Sequence, residues 1–200
     1  MRRILTAVAL EHPDVGYVQS MNFLAAFLLL HAKTEDAAFC LFRRLMSHPR
    51  LALRKVYAPG LPLLVALAEA LERLLDKHAP AAMRHLRSLR IDALLFAQNW
   101  IMCVFTFSMP FDIATSVWES FFEHGWATVL QVAVQLVRGC EPHLLRCDFE
   151  GAFALLRDAA ALAPPDVLER AEAGDVKFDE EDRATVASVV DAVQMPAAGS

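Results

Sequence analysis

Apolar residues along this chain recur with helical spacing. Leu61, Leu64, Val65, Leu67, Ala68, Leu71, Leu74 and Leu75 follow an i, i+3, i+4, i+7 rhythm, while Glu69, Glu72, Arg73 and Lys77 take the other side. Pro62 suits the first turn of that helix, and Gly60 closes the loop before it. Thr34 reads as the N-cap of a helix over residues 35–46, and Asp148 as the cap of one reaching residue 158. The same rhythm predicts helices over 2–11, 17–31, 80–89, 93–107, 110–122, 126–138, 165–173 and 180–193. Breakers fall between them at Pro13, Gly16, Pro49, Pro59, Gly60, Pro80, Pro110, Gly125, Pro142, Pro164 and Pro165, and residues 196–200 read as a frayed tail. No stretch keeps strict alternation, and no fixed period relates one helix to the next. The pattern predicts a compact all-α domain rather than a sheet or a solenoid.

Hydrophobic residues make up 56% of the 200 residues, and the mean hydropathy of +0.35 raises the question of a membrane span. The longest apolar run covers residues 23–30, far short of the roughly 20 that a spanning helix needs. Residues 91–107 are also apolar but carry Asp92, Gln98 and Asn99, as a buried helix does. A net charge of −5 with scattered basic residues argues against a nucleic-acid partner. The N-terminal run is broken by Glu11 and His12 and has no small-residue cleavage site, unlike an export signal. Cys40, Cys103, Cys140 and Cys147 lie far apart and read as reduced thiols of a cytoplasmic protein.

Several kinds of chemistry can be set aside. Ser20 does not sit in a G-x-S-x-G elbow, and seven glycines form neither a phosphate loop nor a dinucleotide motif. Cys140, His143 and Cys147 lack a fourth ligand, so buried thiols are the plainer reading and no metal site is expected. Glu119, Glu123 and His124 lack the paired Glu-x-x-His motifs of a carboxylate metal bundle. The segment that stands out is E-H-P-D-V-G-Y-V-Q-S-M-N at residues 11–22. Pro13 and Gly16 impose a loop, and Asp14 can hold a turn through its carboxylate. Tyr17, Gln19 and Asn22 then stand at the entrance to a very apolar helix. Two readings are open there: a satisfied polar helix start, or a glutamine amide presented to a partner.

Residues 12–23, H-P-D-V-G-Y-V-Q-S-M-N-F, resemble the glutamine-finger motif of TBC domains, N-P-x-x-G-Y-C-Q-G-M-N. Further segments resemble that family in order and spacing: E-D-A-A-F-C-L-F from Glu35, F-A-x-x-W from Phe96 with Phe105 and Pro110 after it, and W-E-S-F-F-E-H-G from Trp118. The resemblance spans about residues 2–158 and implies a multi-helix Rab-GAP TBC domain lacking its N-terminal helices. It sets a partial domain over 1–162 and C-terminal helices with a tail over 163–200. It implies a GTP-bound Rab-family small GTPase as partner, and peripheral association with endomembranes through that GTPase. No cofactor is implied for the chain itself, since nucleotide and Mg²⁺ belong to the GTPase. Gln19 takes the place of the glutamine finger, which orients the attacking water, and Tyr17, Ser20 and Asn22 fall at the partner surface.

The departures from the family pattern also carry weight. The family's arginine finger lies in an I-x-x-D-x-x-R motif upstream of the helix that Arg2 and Arg3 match, and this chain does not contain it. Ser20 replaces a glycine, placing a side chain where backbone approach to a GTPase is expected. A catalytically inactive module that binds a Rab or another partner is therefore the alternative expectation. Apolar surface left uncovered over residues 17–31 favours association. The isolated chain is expected to self-associate, and sedimentation showing a monodisperse monomer with a sharp thermal transition would count against this.

Overall fold

Caps and breakers set most of the observed boundaries. The computed structural model describes residues 1–164, 166–173 and 176–196, and among these it contains helices and no strand. In chain order the helices are α1 (Arg2–Glu11), α2 (Met21–Ala32), α3 (Glu35–Ser47), α4 (Leu53–Tyr57), α5 (Pro62–His78), α6 (Pro80–Ser88), α7 (Ala93–Cys103), α8 (Phe111–His124), α9 (Trp126–Leu144), α10 (Phe149–Ala159), α11 (Val167–Ala173) and α12 (Glu180–Ala192). Thr34 and Asp148 cap α3 and α10 through their side chains, accepting from the amides of Ala37 and Gly151. The expected helix start at Pro165 and the tail after Pro196 lie outside the described residues.

Three boundaries differ from the sequence expectation by more than two residues, and one short helix is added, each for a local reason. α2 starts at Met21 rather than Tyr17, because Gly16 and Ser20 both take positive φ. α7 stops at Cys103 instead of continuing to residue 107, since Val104 (φ 45°) and Phe105 (φ 62°) are left-handed. α9 runs through Pro142 to Leu144. A proline in the last turn forfeits one backbone bond near a frayed end rather than breaking a helix interior. The five-residue α4 was not expected, and its length is below what periodicity can reveal.

α5 is the central strut, with Leu63, Leu64, Leu67, Leu71 and Leu75 fully buried against α4, α6, α7, α9 and α12. α9 is buried almost all round, which places it inside the bundle and not on its face. α1, α2 and α3 pack together at one end, and α10 and α11 lie against α9. The turns after α1 and α3 repeat one device. The His12 carbonyl accepts from the amides of Val15 and Gly16, and the His48 carbonyl from those of Leu51 and Ala52. Each histidine is followed by proline, and each turn ends in a left-handed residue, Gly16 or Ala52.

Val167, Ala171, Phe178, Val186 and Val190 join the same apolar core as the helices before them. The acidic run at residues 179–182 is part of this docking. Asp182 is buried, accepts from Lys77 Nζ at 2.8 Å, and lies 2.9 Å from His78 Nε2. It also forms a reciprocal capping box with Asp179 at the start of α12. The hydrogen bonds it donates to Asp179 and Asp182 hold the Lys77 ammonium well above the ordinary lysine range. Replacing Asp182 with alanine is expected to lower unfolding free energy by about 2–3 kcal/mol, the worth of hydrogen bonds to a charged group. Urea denaturation measures it, and a loss within error of zero would show that α12 docks through its valines alone.

Candidate functional site

The loop between α1 and α2, with the first turn of α2, carries Tyr17, Gln19, Ser20 and Asn22. α1 ends at His12, and Pro13 turns the chain away from the helix axis. Asp14 is then caught by α4: Arg54 donates to its Oδ2 through Nε at 2.9 Å and through a terminal nitrogen at 2.8 Å. Beyond Gly16 the burial alternates, with Tyr17 exposed, Val18 half-buried, Gln19 exposed and Ser20 buried. Tyr17 and Gln19 therefore share the outer side of the loop, and Val18 and Ser20 the inner side. The Val18 amide meets Met21 Sδ at 3.5 Å, and the Met21 amide returns to the Val18 carbonyl at 3.2 Å. Asn22 sits half-buried in the first turn of α2. Among the described residues, no side-chain hydrogen bond occupies the Gln19 amide, which leaves its donor and acceptor both available.

Ser20 differs from its expected place at a partner surface. Its φ of 94° holds it in the left-handed region, where a serine N-cap does not make its usual bond to the helix amides. The side chain is only 6% exposed, and its hydroxyl lies beside the Cys103 thiol. Burial pushes that thiol up to about 11, so it stays protonated at neutral pH.

The floor beneath the loop is the end of α7. The left-handed residues Val104 and Phe105 leave carbonyl groups facing inward, and buried donors meet them. Tyr57 of α4 donates to the Met102 carbonyl, and Trp118 of α8 donates through Nε1 to the Val104 carbonyl at 2.9 Å. Phe107 lies against Phe23 of α2 with ring centroids 4.6 Å apart. His12 is buried as well, with no partner for Nε2 among the described residues. Burial, aided by the Arg54 charge, holds His12 below the ordinary histidine range. Sequence reasoning missed Arg54, Tyr57 and Cys103, which reach the loop only through tertiary contact. The Cys140, His143 and Cys147 cluster resolves into a helix end, where the Cys147 thiol donates to the His143 carbonyl. Among the described residues no group of three His, Cys, Asp or Glu side chains could hold a metal ion.

Residues 1–145 match the family model of the Rab-GTPase-TBC domain. This chain belongs to that family. It is 29% identical to the GTPase-activating protein GYP5 of Saccharomyces cerevisiae over 156 residues, covering 78% of this chain and 17% of that protein. It is 36% identical to the human TBC1 domain family member 10B over 136 residues, covering 68% of this chain and 16% of that one. The chain thus spans less than a fifth of either relative. The crystal structure of the Chlamydomonas flagellar RabGAP TBC domain superposes with a TM-score of 0.74 at 26% identity, over 90% of this chain and 58% of that one. The Ypt/Rab-GAP domain of Gyp1p, at 16% identity and a TM-score of 0.71 over 94% of this chain and 63% of that one, shares the fold. Within the TBC motifs, Phe96, Trp100, Phe105 and Trp118 are core residues, whereas Tyr17 and Gln19 are exposed.

The left-handed Ser20 gives a direct stability comparison. Glycine and alanine at this position both lose the hydroxyl, so their difference isolates the backbone. Ser20→Gly is expected to be more stable than Ser20→Ala by about 1 kcal/mol, opposite in sign to the preference inside a helix. Thermal or urea unfolding reads this, and an alanine variant equal to or better than glycine would mean that the loop relaxes out of the left-handed region.

Proposed function

We propose that this TBC chain stimulates GTP hydrolysis on a GTP-bound Rab-family GTPase by inserting Gln19 as a glutamine finger. The observation that carries this is the exposed, unengaged Gln19 amide on a loop tied down at Asp14 and buried at Ser20. An amide can accept a hydrogen bond from the attacking water and donate one to a phosphate oxygen in one pose. Its work is positioning, and misplacement by about 1 Å can cost about 10²-fold in rate. Tyr17 stands on the same side of the loop and Asn22 one turn further on, both within the surface that a partner gripping Gln19 would cover. Such a partner would bring the protein to the cytoplasmic side of endomembranes. No described helix is long and apolar enough to cross a membrane on its own.

A second reading, a module that binds a Rab without catalysis, is favoured by Ser20, which stands where the TBC pattern has glycine. Single-turnover hydrolysis across a panel of GTP-loaded Rab proteins, with binding measured in parallel, separates the readings. Acceleration that falls by about 100-fold in Gln19→Ala is expected. Acceleration that survives the substitution would remove Gln19 from the mechanism, and binding without acceleration would establish the second reading.

A further inference from the structure

Among the described residues, one side-chain hydrogen-bonding partner on another helix ties residues 12–19 to the rest of the molecule, and it is Arg54. The other bonds of that stretch are local, from the amides of Val15 and Gly16 to the His12 carbonyl and from the Val18 amide to Met21. Arg54 itself stands on firm ground. Its neighbours Leu53, Val56 and Tyr57 are buried, and the Tyr57 hydroxyl is bound to the Met102 carbonyl at the end of α7. That same end of α7 places Cys103 beside Ser20. α4 therefore holds the loop five residues before Gln19, at Asp14, and Ser20, one residue after it, is buried beside the end of α7.

We infer that Arg54 is a positioning residue: by holding Asp14 it fixes where the loop delivers Gln19 to the GTPase. The inference rests on the reading of Gln19 as the water-orienting group. A guanidinium suits the task, because two of its nitrogens reach one carboxylate oxygen and restrict rotation as a single ammonium cannot. Glu11 and Asp14 are the acidic groups that face this corner alongside His12. With Arg54 gone, the loop keeps its local bonds but loses its reference to α4. The chemical step then suffers while the partner surface at Tyr17 stays available.

The test uses stimulated single-turnover hydrolysis with Arg54→Ala, Arg54→Lys, Asp14→Ala and the double alanine variant, at a range of protein concentrations. Expected is a fall of about 10–100-fold in the maximal rate for either alanine variant, with the half-saturating concentration unchanged. The double variant falls no further than the singles, Arg54→Lys recovers part of the rate, and melting temperatures shift by no more than a few degrees. Full rate in Arg54→Ala, a change in half-saturation alone, or losses that multiply in the double variant would each overturn the inference. Should the unaltered chain accelerate no Rab, the Gln19 reading fails by itself, and amide exchange decides Arg54. Faster exchange at Val15, Gly16 and Val18, by one common factor in both single variants, keeps it as the brace of this loop. Unchanged exchange removes it.

Discussion

A helix that stops inside a core leaves carbonyl groups with neither an intrahelical donor nor water. α7 stops in this way, turned left-handed at Val104 and Phe105, and the surrounding helices are arranged around the result. α4 contributes Tyr57 to the Met102 carbonyl, and α8 contributes Trp118 to the Val104 carbonyl. α2 begins against Cys103 and lays Phe23 on Phe107. Removing any one of these donors strands a carbonyl and loosens the neighbour that supplied it. The loop bearing Gln19 is the outermost layer of this arrangement. Its rigidity is borrowed from buried aromatic side chains that never see a partner.

This layering divides the TBC pattern into a buried part and an exposed part. Trp100, Trp118 and Phe96 are spaced to fill and hydrogen-bond a core, so their presence reports on fold. Gln19 and Tyr17 contribute almost nothing to packing and are exposed by an alternation that the left-handed Gly16 starts and the left-handed Ser20 ends. Trp126 repeats the logic of Trp118 at the other junction, donating to the Leu51 carbonyl at 2.7 Å. Gln131 does so by amide, binding the Ala171 carbonyl to fasten α11 onto α9.

Local physics made much of the fold legible in advance. The apolar rhythm of α5, the caps at Thr34 and Asp148, and the proline at the first turn of α5 are properties of a few neighbouring residues, and they are where the sequence places them. The ends of α2 and α7 were not legible, because Ser20, Val104 and Phe105 take positive φ under tertiary pressure that their own side chains do not favour. α4 escaped notice because five residues carry no period. Gln19 could be read from its motif. Arg54 could not, being forty residues from the carboxylate it holds. Nor could the burial of Asp182 be read from its acidic neighbours, because Lys77 and His78, which it meets, lie on a helix a hundred residues earlier.

The alternation between Gly16 and Ser20 sets a rule about length. Residues on the outer side can vary in chemistry without disturbing the inner side, since Tyr17 and Gln19 touch little beneath them. Adding or deleting one residue between Gly16 and Ser20 is a different matter. It would exchange the two sides, driving the glutamine toward Cys103 and pushing the inner residue out. The outer side chains can change without disturbing the packing beneath them, but their number can change only by rebuilding the corner.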